Sequence, residues 1–148
     1  MKKRNITVFI FIIALISCAR THSTTPLLSK DTLCPSSPNC VSSDAKDIEH
    51  RVSPFKFSVE PMIAWRTVRE LALELPRTRL VTERIDYLHI ECRSSILGFV
   101  DDLELYFRPN EGIISVRSSS RIGYSDFGVN RRRVEELRTA LSERGIVK

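Results

Sequence analysis

The chain has 148 residues, with 23 Lys and Arg against 18 Asp and Glu, a formal charge of +5. Three of those cations, Lys2, Lys3 and Arg4, stand ahead of an apolar run, and no acid precedes Cys18; beyond that run the balance is 20 against 18. The basic character therefore belongs largely to the first residues, which excludes the concentrated basic face of a nucleic-acid binder. What remains, roughly 130 residues, suits one domain around one core.

The apolar run Ile6–Ile16 follows Lys2, Lys3 and Arg4 and ends at Leu15-Ile16-Ser17-Cys18. A basic start and a short apolar stretch make a secretory signal rather than a folded element. As a helix the run would rise about 17 Å, well short of about 30 Å of bilayer hydrocarbon. A small residue before a cysteine resembles the lipobox cut by lipoprotein signal peptidase. Residues 1–17 are therefore expected to leave as a signal peptide, with Cys18 as the lipidated first residue of the mature chain. An ordinary secreted form and an uncleaved anchor are the alternatives, but the A-x-A-like site of the former is absent. The expected address is a bacterial cell envelope, with the membrane as partner through the lipid and the domain facing the periplasm. Ala19 resembles residues that permit sorting to the outer membrane. Residues 18–32 read as this lipidated cysteine and a flexible tether of about 20 Å reach, and residues 33–148 as a single domain.

Cys34, Cys40 and Cys92 remain. Cys34 and Cys40 bracket Pro35-Ser36-Ser37-Pro38-Asn39, whose turn formers can bring the two side chains together in an oxidising compartment. A disulfide is the expected state; two free thiols and a metal pair are the alternatives. A C-x5-C pair without a second Cys or His pair nearby lacks zinc-like spacing, so no metal and no cofactor is expected.

The first predicted helix is capped by Ser58, holds Glu60 and Pro61 in its first turn, and stops at Pro76. Trp65, Val68, Ala72 and Leu75 recur at helical spacing and should face the core. Strand-like runs follow at 78–84, 86–94, 98–107 and 112–119, with Pro109-Asn110-Glu111-Gly112 the clearest hairpin turn. A last helix covers 130–144, with Asn130 as cap, Val134, Leu137 and Leu141 on its inner side, and Gly145 at its end. The expected fold is α+β: a four-stranded antiparallel meander with two helices on one face, in the order helix, four strands, helix.

Period-two alternation assigns Leu88, Ile90, Cys92, Phe99, Leu103, Leu105, Phe107, Ile114 and Val116 to the covered face. Tyr87, His89, Glu91, Arg93, Asp102, Glu104, Tyr106, Ser115, Arg117 and Ser119 fall on the other. Asp101 is the misfit, since its phase puts a carboxylate among the apolar side chains; a bulge or a sheet edge would relieve it.

Three stretches carry a family resemblance: Cys34-Pro-Ser-Ser-Pro-Asn-Cys-Val-Ser-Ser43, Gly98-Phe-Val-Asp-Asp-Leu-Glu104, and Arg117-Ser-Ser-Ser-Arg-Ile-Gly-Tyr-Ser-Asp-Phe-Gly-Val-Asn-Arg-Arg-Arg133. They resemble the domain-of-unknown-function family 1499, in its motif order, over roughly residues 33–142. Similar domains occur in bacterial envelope proteins and in plastids. The resemblance implies a domain and no activity.

Two constellations carry chemistry. On the polar face, Asp102 and Glu104 lie about 7 Å apart along their strand, and hairpin geometry places Asp102 near His89 and Glu104 near Arg117. With Ser119 these residues invite a reading as a hydrolase-like site, but Ser119 has no nucleophile elbow around it, and cross-strand ion pairs are the plainer account. The second constellation is cationic. Arg131, Arg132 and Arg133 occupy the first turn of the last helix, where the macrodipole disfavours cations and free N–H groups favour anions. Gly123, Ser125 and Gly128 precede them, and Arg117 and Arg121 approach from the strand end. Arg117, Arg121, Arg131 and Arg133 thus form a candidate anion site. The competing account is a structural lock in which Asp126, Glu135 and Glu136 neutralise the arginines. Tyr124 and Phe127 are expected to pack the loop in either case. The leading reading is a noncatalytic envelope module for an anionic ligand or an envelope protein partner; the alternative is an enzyme using His89 with Asp102 and Glu104.

Overall fold

The computed structural model describes residues 33–95 and 97–148. The predicted signal peptide, the lipidation site Cys18 and the tether lie outside the described residues. The elements are β1 (Cys40–Ser42), β2 (Phe55–Lys56), α1 (Pro61–Glu74), β3 (Thr78–Arg84), β4 (Tyr87–Arg93), β5 (Val100–Arg108), β6 (Ile113–Ser120) and α2 (Val129–Glu143). All strand pairs are antiparallel, in the order β1-β6-β5-β4-β3, with β2 also pairing β6. The α+β class, the two helices and the antiparallel meander stand. The sheet has six strands instead of four. β1 and β2, three and two residues long, are too short to show a period, and β6 supplies the backbone partners that make them strands.

The core lies between the sheet and both helices. Ala64, Trp65, Val68, Leu71 and Ala72 of α1 and Val134, Leu137 and Leu141 of α2 cover Leu88, Ile90, Leu103, Leu105, Ile114 and Val116. Trp65 stacks on Phe107 with ring centroids 5.3 Å apart. Phe99 departs from its predicted place: β5 starts at Val100, two residues after the predicted start, and Phe99 is exposed.

Helix ends differ from expectation in informative ways. Glu60, not Ser58, caps α1, its carboxylate accepting from the N–H groups of Met62 and Ile63 at 3.0 and 2.9 Å. Ser58 instead binds the chain end, its N–H donating to the Ile146 carbonyl. Leu75 ends α1 in the extended conformation that a following proline imposes. Asn130 is not the cap of α2. Gly128 holds that position at φ 76°, and the Asp126 carboxylate accepts from the N–H groups of Gly128 and Asn130 at 2.9 and 2.7 Å.

Asp101 needs no bulge. It is buried on the covered face and meets the Arg133 guanidinium at 2.7 Å. Beside them, fully buried Asn130 accepts from the Ser118 hydroxyl (2.6 Å) and donates to the Asn39 carbonyl (3.1 Å) and the Ser120 hydroxyl (3.0 Å). This polar knot joins α2, β6 and the start of β1.

Candidate functional site

Because successive strand residues alternate, the uncovered sheet face collects one row of ionisable side chains from each of β3 to β6. Three carboxylates organise it. Glu91, almost fully buried, is approached by Arg79 at 2.9 Å, Arg121 at 2.8 Å and Arg93 at 3.5 Å. Asp102 receives Arg121 at 2.7 Å and His89 Nε2 at 2.7 Å. Glu104 takes Arg117 at 2.6 Å and the hydroxyls of Tyr87 and Tyr106 at 2.7 and 3.2 Å.

The electrostatics follow from these contacts. Burial disfavours the Asp102 carboxylate, but hydrogen bonds from Arg121 and His89 outweigh it and hold its pKa below the ordinary value. The hydrogen bond from Arg79 depresses Glu91, and with help from Arg121 it outweighs the opposing desolvation. Tyr87 and Tyr106 shift the other way, raised by burial and then by Glu104, so both phenols remain donors.

The disulfide Cys34–Cys40 is formed. Cys40 pairs with Ser119, which lays the loop beside the polar face. Between them is an open concavity of about 580 Å³, walled by Leu33, Cys34 and Pro35 on one side and His89, Asp102, Glu104 and Arg117 on the other. Arg117 adds an unusual feature: its Nε is buried, and no acceptor among the described residues takes its proton.

Ser119 is not hydrogen-bonded to His89. Its hydroxyl contacts the Ser120 carbonyl at 3.5 Å, and among the described residues no hydroxyl or thiol bonds His89. Cys92 is free and buried, and desolvation raises its thiol pKa to about 11, far from a nucleophilic thiolate at neutral pH. No group of three or more His, Cys, Asp or Glu suited to a metal ion occurs among the described residues.

The four arginines expected to converge on an anion do not share one pocket. Arg117 and Arg121 lie on the polar face; Arg133 points under the sheet to Asp101. Arg131 donates to the carbonyls of Arg51 and Glu49 at 2.8 and 2.6 Å, and Arg132 to that of Phe127 at 2.8 Å. Two of the three acids expected to neutralise them do other work: Asp126 caps α2 and Glu135 pairs with Arg138. Tyr124 and Phe127 do not pack the loop; both are exposed. The wall made by Leu33 and Pro35 and the position of Glu91 among three arginines escaped the sequence reading. Register alone, Arg79 opposite Glu91, would have signalled the second.

The disulfide loop is held from behind by buried His50, whose Nδ1 meets Asp47 at 2.6 Å and whose Nε2 meets the Ser37 carbonyl at 3.1 Å. Both partners are acceptors, so only the imidazolium satisfies both ring nitrogens. Burial pulls the His50 pKa down, but the Ser37 and Asp47 hydrogen bonds outweigh it, and the net shift is upward from 6.5. A raised pKa contributes stability that is full below 6.5 and fades as pH rises through the folded value. The melting-temperature advantage of the native chain over His50→Gln should therefore shrink between mildly acidic and mildly alkaline pH; an advantage that stays constant would refute this.

No helix among the described residues is long and apolar enough to cross a membrane. The family model described as "Protein of unknown function (DUF1499)" matches residues 32–141. No curated protein and no solved structure matches the chain.

Proposed function

Because the chain belongs to DUF1499, a family whose description assigns no function, we propose its role from its own geometry: a noncatalytic binding module for a small anionic group. The observation that carries this reading is the concavity on the polar sheet face under the disulfide loop, where Arg117, already paired with Glu104, lies with His89 and its partner Asp102. The buried Nε of Arg117 supports it, since an arriving carboxylate or phosphate oxygen would supply the missing acceptor after a small side-chain shift. The reading keeps Arg117 from the expected quartet; Arg121, held by Glu91 and Asp102 outside the lining, joins Arg131 and Arg133 in the scaffold. We place the module at a bacterial cell envelope, held by lipid on Cys18 and facing the periplasm, with the outer membrane favoured by Ala19. That placement rests on the leader's sequence pattern.

A hydrolase-like reading has one observation in its favour, the His89–Asp102 contact inside the same concavity. Asp102, held ionised, would orient His89 and not itself donate a proton. Against this reading, His89 lacks a hydroxyl to activate among the described residues.

The test is thermal unfolding of the full chain with inorganic phosphate, a uronic acid or an acidic glycan. A ligand at a hundredfold its dissociation constant should stabilise by about 2.7 kcal/mol. Arg117→Gln should abolish the shift while Arg131→Glu retains it. A shift lost in Arg131→Glu and retained in Arg117→Gln would move the site to α2. Turnover of an ester or phosphoester that disappears in His89→Gln would replace binding with catalysis.

A further inference from the structure

Antiparallel register gathers four connections at one end of the sheet. Arg93 pairs with Val100, Asp101 with Ser120, Thr78 with Cys92 and Cys40 with Ser119. The chain segment before β1, the α1–β3 connection, the β4–β5 turn and the β6–α2 loop therefore all lie there. So do six of the apolar side chains left in solvent, while Ile48 in the β1–β2 connection and Ile85 in the β3–β4 turn, each 84% exposed, stand apart from them. Phe127 is 87% exposed, Tyr124 76%, Leu97 68% and Ile122 60%, with Leu33 and Phe99 about half exposed at 51% and 46%. Nothing in the core requires this. Phe127 even holds a left-handed backbone (φ 54°), a conformation uncommon for a bulky residue, while its ring remains in water. Apolar side chains concentrated at one end of a domain mark an interaction surface.

At the same end, though lined by none of these six, lies a cleft of about 240 Å³ between the α1–β3 connection, the β4–β5 turn and the start of α2. Arg77, Arg93 and Arg132 line it with the hydroxyl residues Ser94 and Ser95; Glu136 is the one acid in its lining. Neither Arg77 nor Arg132 has a carboxylate within 4 Å among the described residues, and Arg93 reaches only Glu91, at 3.5 Å, which Arg79 and Arg121 already hold more closely. Cations with hydroxyls, flanked by projecting aromatic and aliphatic side chains, match phosphate headgroups lying above acyl chains. A protein partner would more often meet a flat patch with an apolar centre.

We propose that this loop end docks on an anionic phospholipid surface, with Leu97, Tyr124 and Phe127 entering the interface and Arg77, Arg93 and Arg132 taking lipid phosphates. The position of the remaining chain agrees. Leu33 lies at this end, and Cys18 stands only fifteen positions before it, a reach of about 20 Å for a flexible tether. That reach rests on the anchoring proposed above; the docking surface does not.

The experiment uses the full chain carrying Tyr124→Trp on vesicles of phosphatidylcholine with or without phosphatidylglycerol, with brominated acyl chains as quencher. Trp65 is the natural chain's one tryptophan and lies in the core, so the wild type gives the background. Co-sedimentation reports anchoring through the leader, and quenching of the introduced indole reports docking, so failure of one is distinguishable from failure of the other. The introduced indole should be quenched strongly on vesicles containing phosphatidylglycerol and weakly on phosphatidylcholine alone. Arg77→Gln with Arg93→Gln should lower the ratio of docked to undocked chain about 30-fold, from roughly fivefold per arginine, with sedimentation unchanged. Quenching no greater than the Trp65 background, or equal on both vesicles, overturns the proposal. So does full quenching in the double variant.

Discussion

Replacing Arg133 by alanine should destabilise the domain by about 3–5 kcal/mol, measured as the shift in denaturant midpoint at constant slope. Arg133 is the charge partner of Asp101, at 2.7 Å, and both side chains are largely removed from solvent. The pair itself is of modest net value, because desolvation of two ions offsets most of their attraction. Cutting one partner is different: it leaves a carboxylate on the apolar face of β5 with no counter-charge. Arg133 also donates to the Ser118 hydroxyl and to Asn130 Oδ1, so the truncation removes charge-assisted hydrogen bonds as well.

The double variant Asp101→Leu with Arg133→Met makes the argument falsifiable. Replacing both ions with apolar side chains of similar volume removes the orphaned charge, so most of the loss should return. If the double variant is as unstable as Arg133→Ala, the cost lies in the hydrogen bonds to Ser118 and Asn130, not in the buried charge. The two sites are in contact, so additivity is not expected, and the size of the coupling is the quantity of interest.

Asp101 also shows how far the sequence could be read. Alternation assigned it to the covered face, and that phase is right. Alternation carries no information on what lies above the sheet, so a local escape through a bulge was the natural inference, whereas the answer was an arginine thirty-two positions away. The same limit explains Arg131–Arg133. Three cations in a first helical turn signal an anion only if the turn is open; here Arg131 reaches the carbonyls of a loop eighty positions earlier. The helices and the four long strands were legible because each carries its own period. β1 and β2 carry none. The pairing of Glu104 with Arg117 followed from hairpin register, which short turns fix locally, whereas His89 stands opposite Glu104 and reaches Asp102 diagonally. The concavity did not, because half its wall comes from the segment before β1, which reaches the sheet only through long-range pairing with β6.

Asn130→Ala should cost roughly 2–4 kcal/mol, far above the loss of about 1 kcal/mol expected for a helix cap. The difference separates the role the sequence suggested from the role the fold gives it. A capping asparagine is exposed and satisfies helix N–H groups; Asn130 is fully buried, and Asp126 already performs the capping. Its removal leaves the Ser118 hydroxyl, itself fully buried, without the acceptor it uses at 2.6 Å, at about 1–3 kcal/mol for an orphaned donor. It also deprives Arg133 of an acceptor and leaves a small void between α2 and β6. Asn39 is less affected, because its carbonyl still accepts from the Ser120 N–H at 2.9 Å. The variant should also reach the candidate site, since Asn130 is one of the few ties between α2 and the segment that carries the disulfide loop. Amide exchange at Cys40 and Val41 should then quicken more than exchange in β4, because β1 is held by a single neighbouring strand. Equal quickening in β1 and β4 would mean that the variant only lowers global stability and that the knot does not position the wall of the concavity.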